Sequence, residues 1–168
     1  MHTKNIRKLV FAAMLAALVF CATWISFPVG IGNVNLGDAM LLLGSVTLGG
    51  PFSVVACALG ATLTDLLGGY AVYAPATLVI KALMGVVAIL IYKVTSRFST
   101  VVRQLLCGVC AELVMVIGYL LYEAFFLSLG VAALVSVPFN CLQGAFGIAV
   151  SMLSYGILKK AKLTDLFD

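Results

Sequence analysis

Charge is what this sequence has least of. Only 10% of its 168 residues are charged, where a soluble domain carries roughly a quarter. Hydrophobic residues make up 64%, and the mean hydropathy is +1.21. The apolar stretches are too long and too many for one aqueous core, which excludes a soluble domain and places the chain in a bilayer. Histidine is nearly absent as well. His2 is the only one and precedes the first apolar run, so Ser–His catalysis and histidine-based metal sites are excluded. No Gly-x-x-x-x-Gly-Lys phosphate loop occurs, so this chain is not itself an ATPase. An enzyme would have to work with carboxylates alone. The net charge of +4 is no nucleic-acid signal, because the basic residues gather at the ends of apolar runs.

Lys4, Arg7 and Lys8 precede an apolar run, as in a secretory leader, but the run continues from Leu9 to about Pro28. That is too long for a leader's apolar region, and no small-x-small cleavage site follows. Cys21 follows Phe20, where a lipoprotein cleavage site wants a small residue. The segment is therefore expected to stay as a membrane helix. All five cysteines, Cys21, Cys57, Cys107, Cys110 and Cys141, fall in apolar runs, where a free thiol behaves as a small hydrophobe. "CGVC" (107–110) reads either as two small residues on one helix face or as a thiol redox pair.

Apolar runs bounded by turn residues predict a single-domain, all-α membrane protein over 1–168. Its six helices are expected at about 9–28, 38–49, 52–69, 75–93, 103–127 and 136–158. Several approach the roughly 20 residues that cross a bilayer, but the second is short. A short helix is tolerable inside a bundle if its irregular ends line a cavity rather than lipid. Nine of the ten Lys and Arg residues lie before the first helix, between the fourth and fifth, or after the sixth. The positive-inside rule then predicts both termini in the cytoplasm.

Polar groups within membrane helices are costly and so mark functional positions. Asp38, Asp65, Lys81, Glu123, Asn140 and Gln143 come from five helices, yet a rise of about 1.5 Å per residue puts them all in the outer half. Asp65 and Lys81 lie on consecutive antiparallel helices at similar depth, which predicts an ion pair that neutralises both. Glu112, Tyr119 and Glu123 share one face of the fifth helix. Glu112 is expected to reach an interface or Arg103, which leaves Tyr119 and Glu123 as ligand candidates. Asn140 and Gln143, three apart, project from one face after Pro138, either into a cavity or toward another helix. Asp38 suits the first turn of its helix, where the macrodipole favours a carboxylate, and Asn35 is placed to cap it. Ala12 and Ala16, like Ala13 and Ala17, are four apart and form a small-residue stripe that lets another helix approach.

Taken in order, "RKLVFAAMLAALVF", "VNLGDAMLLLGSVTLGGP", "DLLGGYAVYAPATLVIKALMGVVA" and "VPFNCLQGAFGIAVS" resemble the substrate-binding S component of energy-coupling factor (ECF) vitamin transporters, over essentially the whole chain. The resemblance implies a multi-pass protein of a prokaryotic plasma membrane that binds a vitamin or vitamin precursor near its outer face. It implies work with a transmembrane coupling subunit and two cytoplasmic ATPases, and no cofactor. Ala12, Ala13, Ala16 and Ala17 match the family's docking motif for the coupling subunit. The loop between helices one and two is expected to close over the ligand, with Asn33, Asn35 and Asp38 in or beside it. Tyr73, Lys81, Glu123, Asn140 and Gln143 are expected to complete the pocket, with Asp65 and Tyr119 as further candidates.

"NLGD", "YAPAT" and "FNCLQG" look closest to members that handle pyridoxine- or hydroxymethylpyrimidine-like rings. Related branches take riboflavin, pantothenate or queuosine precursors. The alternatives are a self-sufficient secondary transporter or channel using Asp65, Glu112 and Glu123, and a thiol oxidoreductase using Cys107 and Cys110.

Overall fold

The computed structural model describes residues 2–29 and 32–162. Helix α1 (His2–Trp24) leads into a hairpin of β1 (Ser26–Val29) and β2 (Gly32–Asn35). Helices α2 (Gly37–Thr47), α3 (Gly50–Leu67), α4 (Ala74–Val94) and α5 (Thr100–Leu121) follow. A π-helical turn (Tyr122–Phe126) and a 3-10 turn (Gly130–Ser136) then lead into α6 (Val137–Lys160). Proline stands in the first turn of α3, α4 and α6, where its missing N–H costs nothing. The turn into α3 needs positive φ at two successive residues, and Gly49 and Gly50 supply it at 58° and 73°.

Five of the helical segments are long and apolar enough to cross a membrane, and α2 is not. The short helix is instead the hub of the bundle, packing against α1, α3, α4, α5 and α6. Leu41 and Leu42 of α2 meet Leu15 and Val19 of α1, Cys57 and Ala61 of α3, Ile80 and Met84 of α4, and Ala111 and Met115 of α5 in one core. Large apolar side chains also cover the outside, among them Leu9, Leu67, Val79, Leu113 and Leu153. Such a surface suits hydrocarbon rather than water.

The segment expected as a helix to residue 28 ends at Trp24, and the expected loop is a hairpin. Pro28 cannot continue a helix. The chain turns extended and pairs antiparallel from Ser26↔Asn35 to Val29↔Gly32. At the other end of the bundle, Arg103 does not reach Glu112. Its guanidinium donates to the carbonyl of Tyr92 at 2.8 and 3.1 Å and lies over that ring, so it satisfies the frayed end of α4. Cys107 and Cys110 are free thiols, the first buried and the second half-buried.

A candidate ligand cleft at the hairpin end

The hairpin, the end of α3, the start of α4, the π-helical turn and the start of α6 converge at one end of the bundle. Between them lies a cleft of about 240 Å³ lined by Asn35, Asp65, Tyr70, Tyr73, Thr77, Tyr119, Glu123, Asn140 and Gln143. A second lobe of about 340 Å³ shares Asn35, Asp65 and Tyr70 and adds Thr23, Trp24, Ser26, Thr64 and Gly68.

Most of these groups hold one another in place. Thr77 donates to Asp65 at 2.5 Å and lies 2.9 Å from the Tyr119 hydroxyl. Glu123 accepts from Ser136 at 2.6 Å and from Tyr73 at 3.4 Å. Burial and the Glu123 carboxylate push the Tyr73 hydroxyl above its ordinary range, so it remains a donor near neutrality. Glu123 sits on the π-helical turn. The wider turn re-aims its side chain inward, as such turns often do at functional sites. The Asn140 side chain makes no hydrogen bond among the described residues, and its amide is free to meet a ligand.

Asp65 and Lys81 do not pair. Lys81 forms its salt bridge with Asp38 instead, and both side chains are almost fully buried. Thr77 and Lys81 are four apart on α4, so they share a face one turn apart. Asp65 meets the shallower Thr77, while the deeper Lys81 turns to α2. Asp38 is therefore more than a first-turn carboxylate. It also accepts from Gln143 Nε2 at 2.6 Å, and Gln143 Oε1 accepts from Asn35 Nδ2 at 3.3 Å. Asn35 Oδ1 accepts from the N–H of Gly37 at 2.9 Å and so closes the turn into α2, but it is not the expected cap: Leu36 stands at the cap position and no side chain bonds there.

Asp38 and Lys81 are not cleft-lining groups but lie beneath it. Asn33 lies on β2, with its side chain outside the described residues. Glu112 is buried with neither carboxylate oxygen hydrogen-bonded among the described residues, and it lies against the glycine notch of α6 at Gly144 and Gly147. Tyr70 and Thr77 are cleft residues that the sequence does not announce as such. Thr77 was accessible through its spacing from Lys81, whereas Tyr70 stands in a turn with no periodic signal.

The alanine stripe on α1 splits. Ala12 is buried, and the carbonyl of Ala16 lies against Gly60 of α3, 2.5 Å from where a Cβ on that glycine would stand. Docking through all four alanines is therefore not open to another chain, and the exposed pair is Ala13 and Ala17.

The family model described as "ECF-type riboflavin transporter, S component" matches residues 3–160. The chain belongs to that family. A solved structure of the S component of a bacterial ECF transporter is 26% identical, with a TM-score of 0.74 over 93% of this chain and 97% of that one. An uncharacterised protein of Pyrococcus woesei is 37% identical over 95 residues, which span 56% of this chain and 62% of that relative. As an S component with several apolar helices, the protein is a multi-pass membrane protein and a substrate-binding transporter subunit rather than an enzyme.

Proposed function

We propose that this S component binds a water-soluble vitamin in the hairpin-end cleft and delivers it through an ATP-driven ECF transporter. The observation that carries the reading is the cleft itself. Polar side chains from the hairpin and from α3 to α6 converge there, and they include a free amide on Asn140 and aromatic faces on Tyr73 and Tyr119, whose rings are 6.4 Å apart. Convergent polar groups in a concave site with aromatic walls suit a small flat heterocycle that carries its own donors and acceptors.

Nine of the ten cationic residues cluster at the end away from the cleft, which supports cytoplasmic termini and a cleft facing outward across a prokaryotic plasma membrane. The hairpin then stands where a lid is needed. A coupling subunit and two ATPases supply the energy.

A pyridoxine- or hydroxymethylpyrimidine-like ring suits the smaller lobe. Riboflavin is the second reading, favoured by the family's description and by the adjoining lobe, which has room for a side chain beside the ring. Mass spectrometry of molecules retained by the purified protein, followed by titration with riboflavin, pyridoxine and hydroxymethylpyrimidine, separates these. Retention of no vitamin and binding of none of the three probes would count against the vitamin reading.

Asn140→Ala is expected to weaken binding of the retained vitamin about tenfold, the scale of one lost hydrogen bond in a dry site, with the unfolding midpoint unchanged. Equal affinity would remove Asn140 from the site. Ala13→Trp puts a bulky ring on the exposed stripe. It is expected to abolish uptake by the complete transporter while the solitary subunit binds its vitamin normally. Normal uptake would move the docking face elsewhere.

A further inference from the structure

Three hydrogen bonds beneath the cleft run in one direction and end on Asp38, which a fourth reaches from the other side. The Gly37 N–H donates to Asn35 Oδ1, and Asn35 Nδ2 donates to Gln143 Oε1. Gln143 Nε2 donates to Asp38 Oδ2, and Lys81 Nζ donates to Asp38 Oδ1. Each amide on its own is able to turn over and exchange its oxygen for its nitrogen. Neither end of this chain permits that. A backbone N–H only donates, and an ion-paired carboxylate only accepts. The two amides between them are held in one orientation.

What the amides offer the cleft then follows from what they have already used. Gln143 Nε2 is committed to Asp38 and lies 3.6 Å from Met115 Sδ, so its free capacity is the second lone pair of Oε1. Asn35 keeps one N–H of its Nδ2. Both residues line the cleft, and they present it with an acceptor beside a donor. Asp38 and Lys81 touch no part of the cleft, yet the ion pair sets the sense of both groups that do.

We propose that Asp38, held by Lys81, is a positioning residue that turns the Gln143 oxygen toward the cleft, so that the bound molecule presents an N–H or O–H to Gln143 and an adjacent acceptor to Asn35. A lactam, imide or hydroxylated heteroaromatic edge has that pattern. A molecule with two neighbouring acceptors and no donor is rejected, because one acceptor would face the second lone pair of Gln143 Oε1 with no proton between them. The ligand side of this inference rests on the vitamin-binding reading, whereas the orientation of Gln143 does not.

Two measurements on the full chain in micelles test it. The chain contains two glutamines, Gln104 and Gln143, so glutamine-selective nitrogen-15 labelling gives two side-chain amide pairs that a Gln104→Glu variant assigns. In the ligand-free protein one Gln143 proton is expected far downfield and slow to exchange. Asp38→Asn is expected to abolish both properties without moving the Gln104 pair. A Gln143 pair indifferent to Asp38→Asn overturns the positioning.

The second measurement titrates riboflavin and pyridoxine against Asp38→Asn, Gln143→Glu and the two combined. Each single change is expected to weaken the probe that binds by about tenfold. The combined variant reverses the one bond, with an amide at position 38 now donating to a carboxylate at position 143, and keeps the volume, the charge and an acceptor toward the cleft. It is expected to recover to within about threefold of the parent. A combined variant that folds but binds no better than the singles overturns the proposal. If neither these probes nor hydroxymethylpyrimidine binds the parent, the vitamin reading falls, and the amide spectrum alone decides the orientation.

Discussion

Lys81→Met is expected to cost about 3–5 kcal/mol of stability, because it strands the Asp38 carboxylate in the centre of the bundle without its cation. Asp38 is 1% exposed, and Glu112, 5% exposed, already has both oxygens without a hydrogen-bond partner among the described residues. Nothing nearby is left to neutralise the stranded charge. Removing both partners differs from removing one. Asp38→Leu combined with Lys81→Met replaces the pair by apolar groups of similar volume, and such replacements are often neutral or stabilising. The combined variant is expected to unfold within a few degrees of the parent and, since it no longer orients Gln143, to bind its vitamin poorly.

Thermal unfolding followed through Trp24, the single tryptophan, measures the stability and titration measures the binding. A Lys81→Met protein as stable as the parent would show that the pair contributes nothing to the bundle. A combined variant as unstable as the single would show that a feature other than the stranded charge is responsible.

Gly60→Val is expected to cost about 3 kcal/mol, the upper part of the usual range for overpacking. The position is one where α1 and α3 approach closely. A Cβ at residue 60 would stand 2.5 Å from the carbonyl oxygen of Ala16 and 3.1 Å from the Cβ of Val19. A side chain could swing aside, but a helix carbonyl cannot, so the two helices must part along their seam. Gly156 on α6 is the matched control, since a Cβ there meets nothing within 4 Å. Gly156→Ala is expected to be neutral or mildly stabilising through helix propensity alone. Equal unfolding midpoints for the two variants would mean that α1 does not seat against α3 as described.

The same contact explains why the alanine stripe was only half legible. Small residues four apart announce a close approach, but they do not say to what. Ala12 and Ala16 use their smallness inside the bundle, and Ala13 and Ala17 face outward. The π-helical turn at Glu123 and the strands around Pro28 left no periodic signal, since each depends on what the chain meets after the helix ends.

By itself the sequence determined the number of helices, their approximate bounds, the shortness of the second one and the family to which the chain belongs. Apolar length and the cost of unpaired backbone in hydrocarbon leave little choice there. It also determined that the polar groups share one end, because position along a helix is depth. The tertiary structure alone decided which groups meet. Lys81 takes Asp38 rather than Asp65, Thr77 takes Asp65, and Gln143 bridges α6 to α2. Partner choice depends on the rotation of each helix about its axis and on which neighbour it faces. Those follow from packing around the buried α2, and no count of residues along one helix contains them.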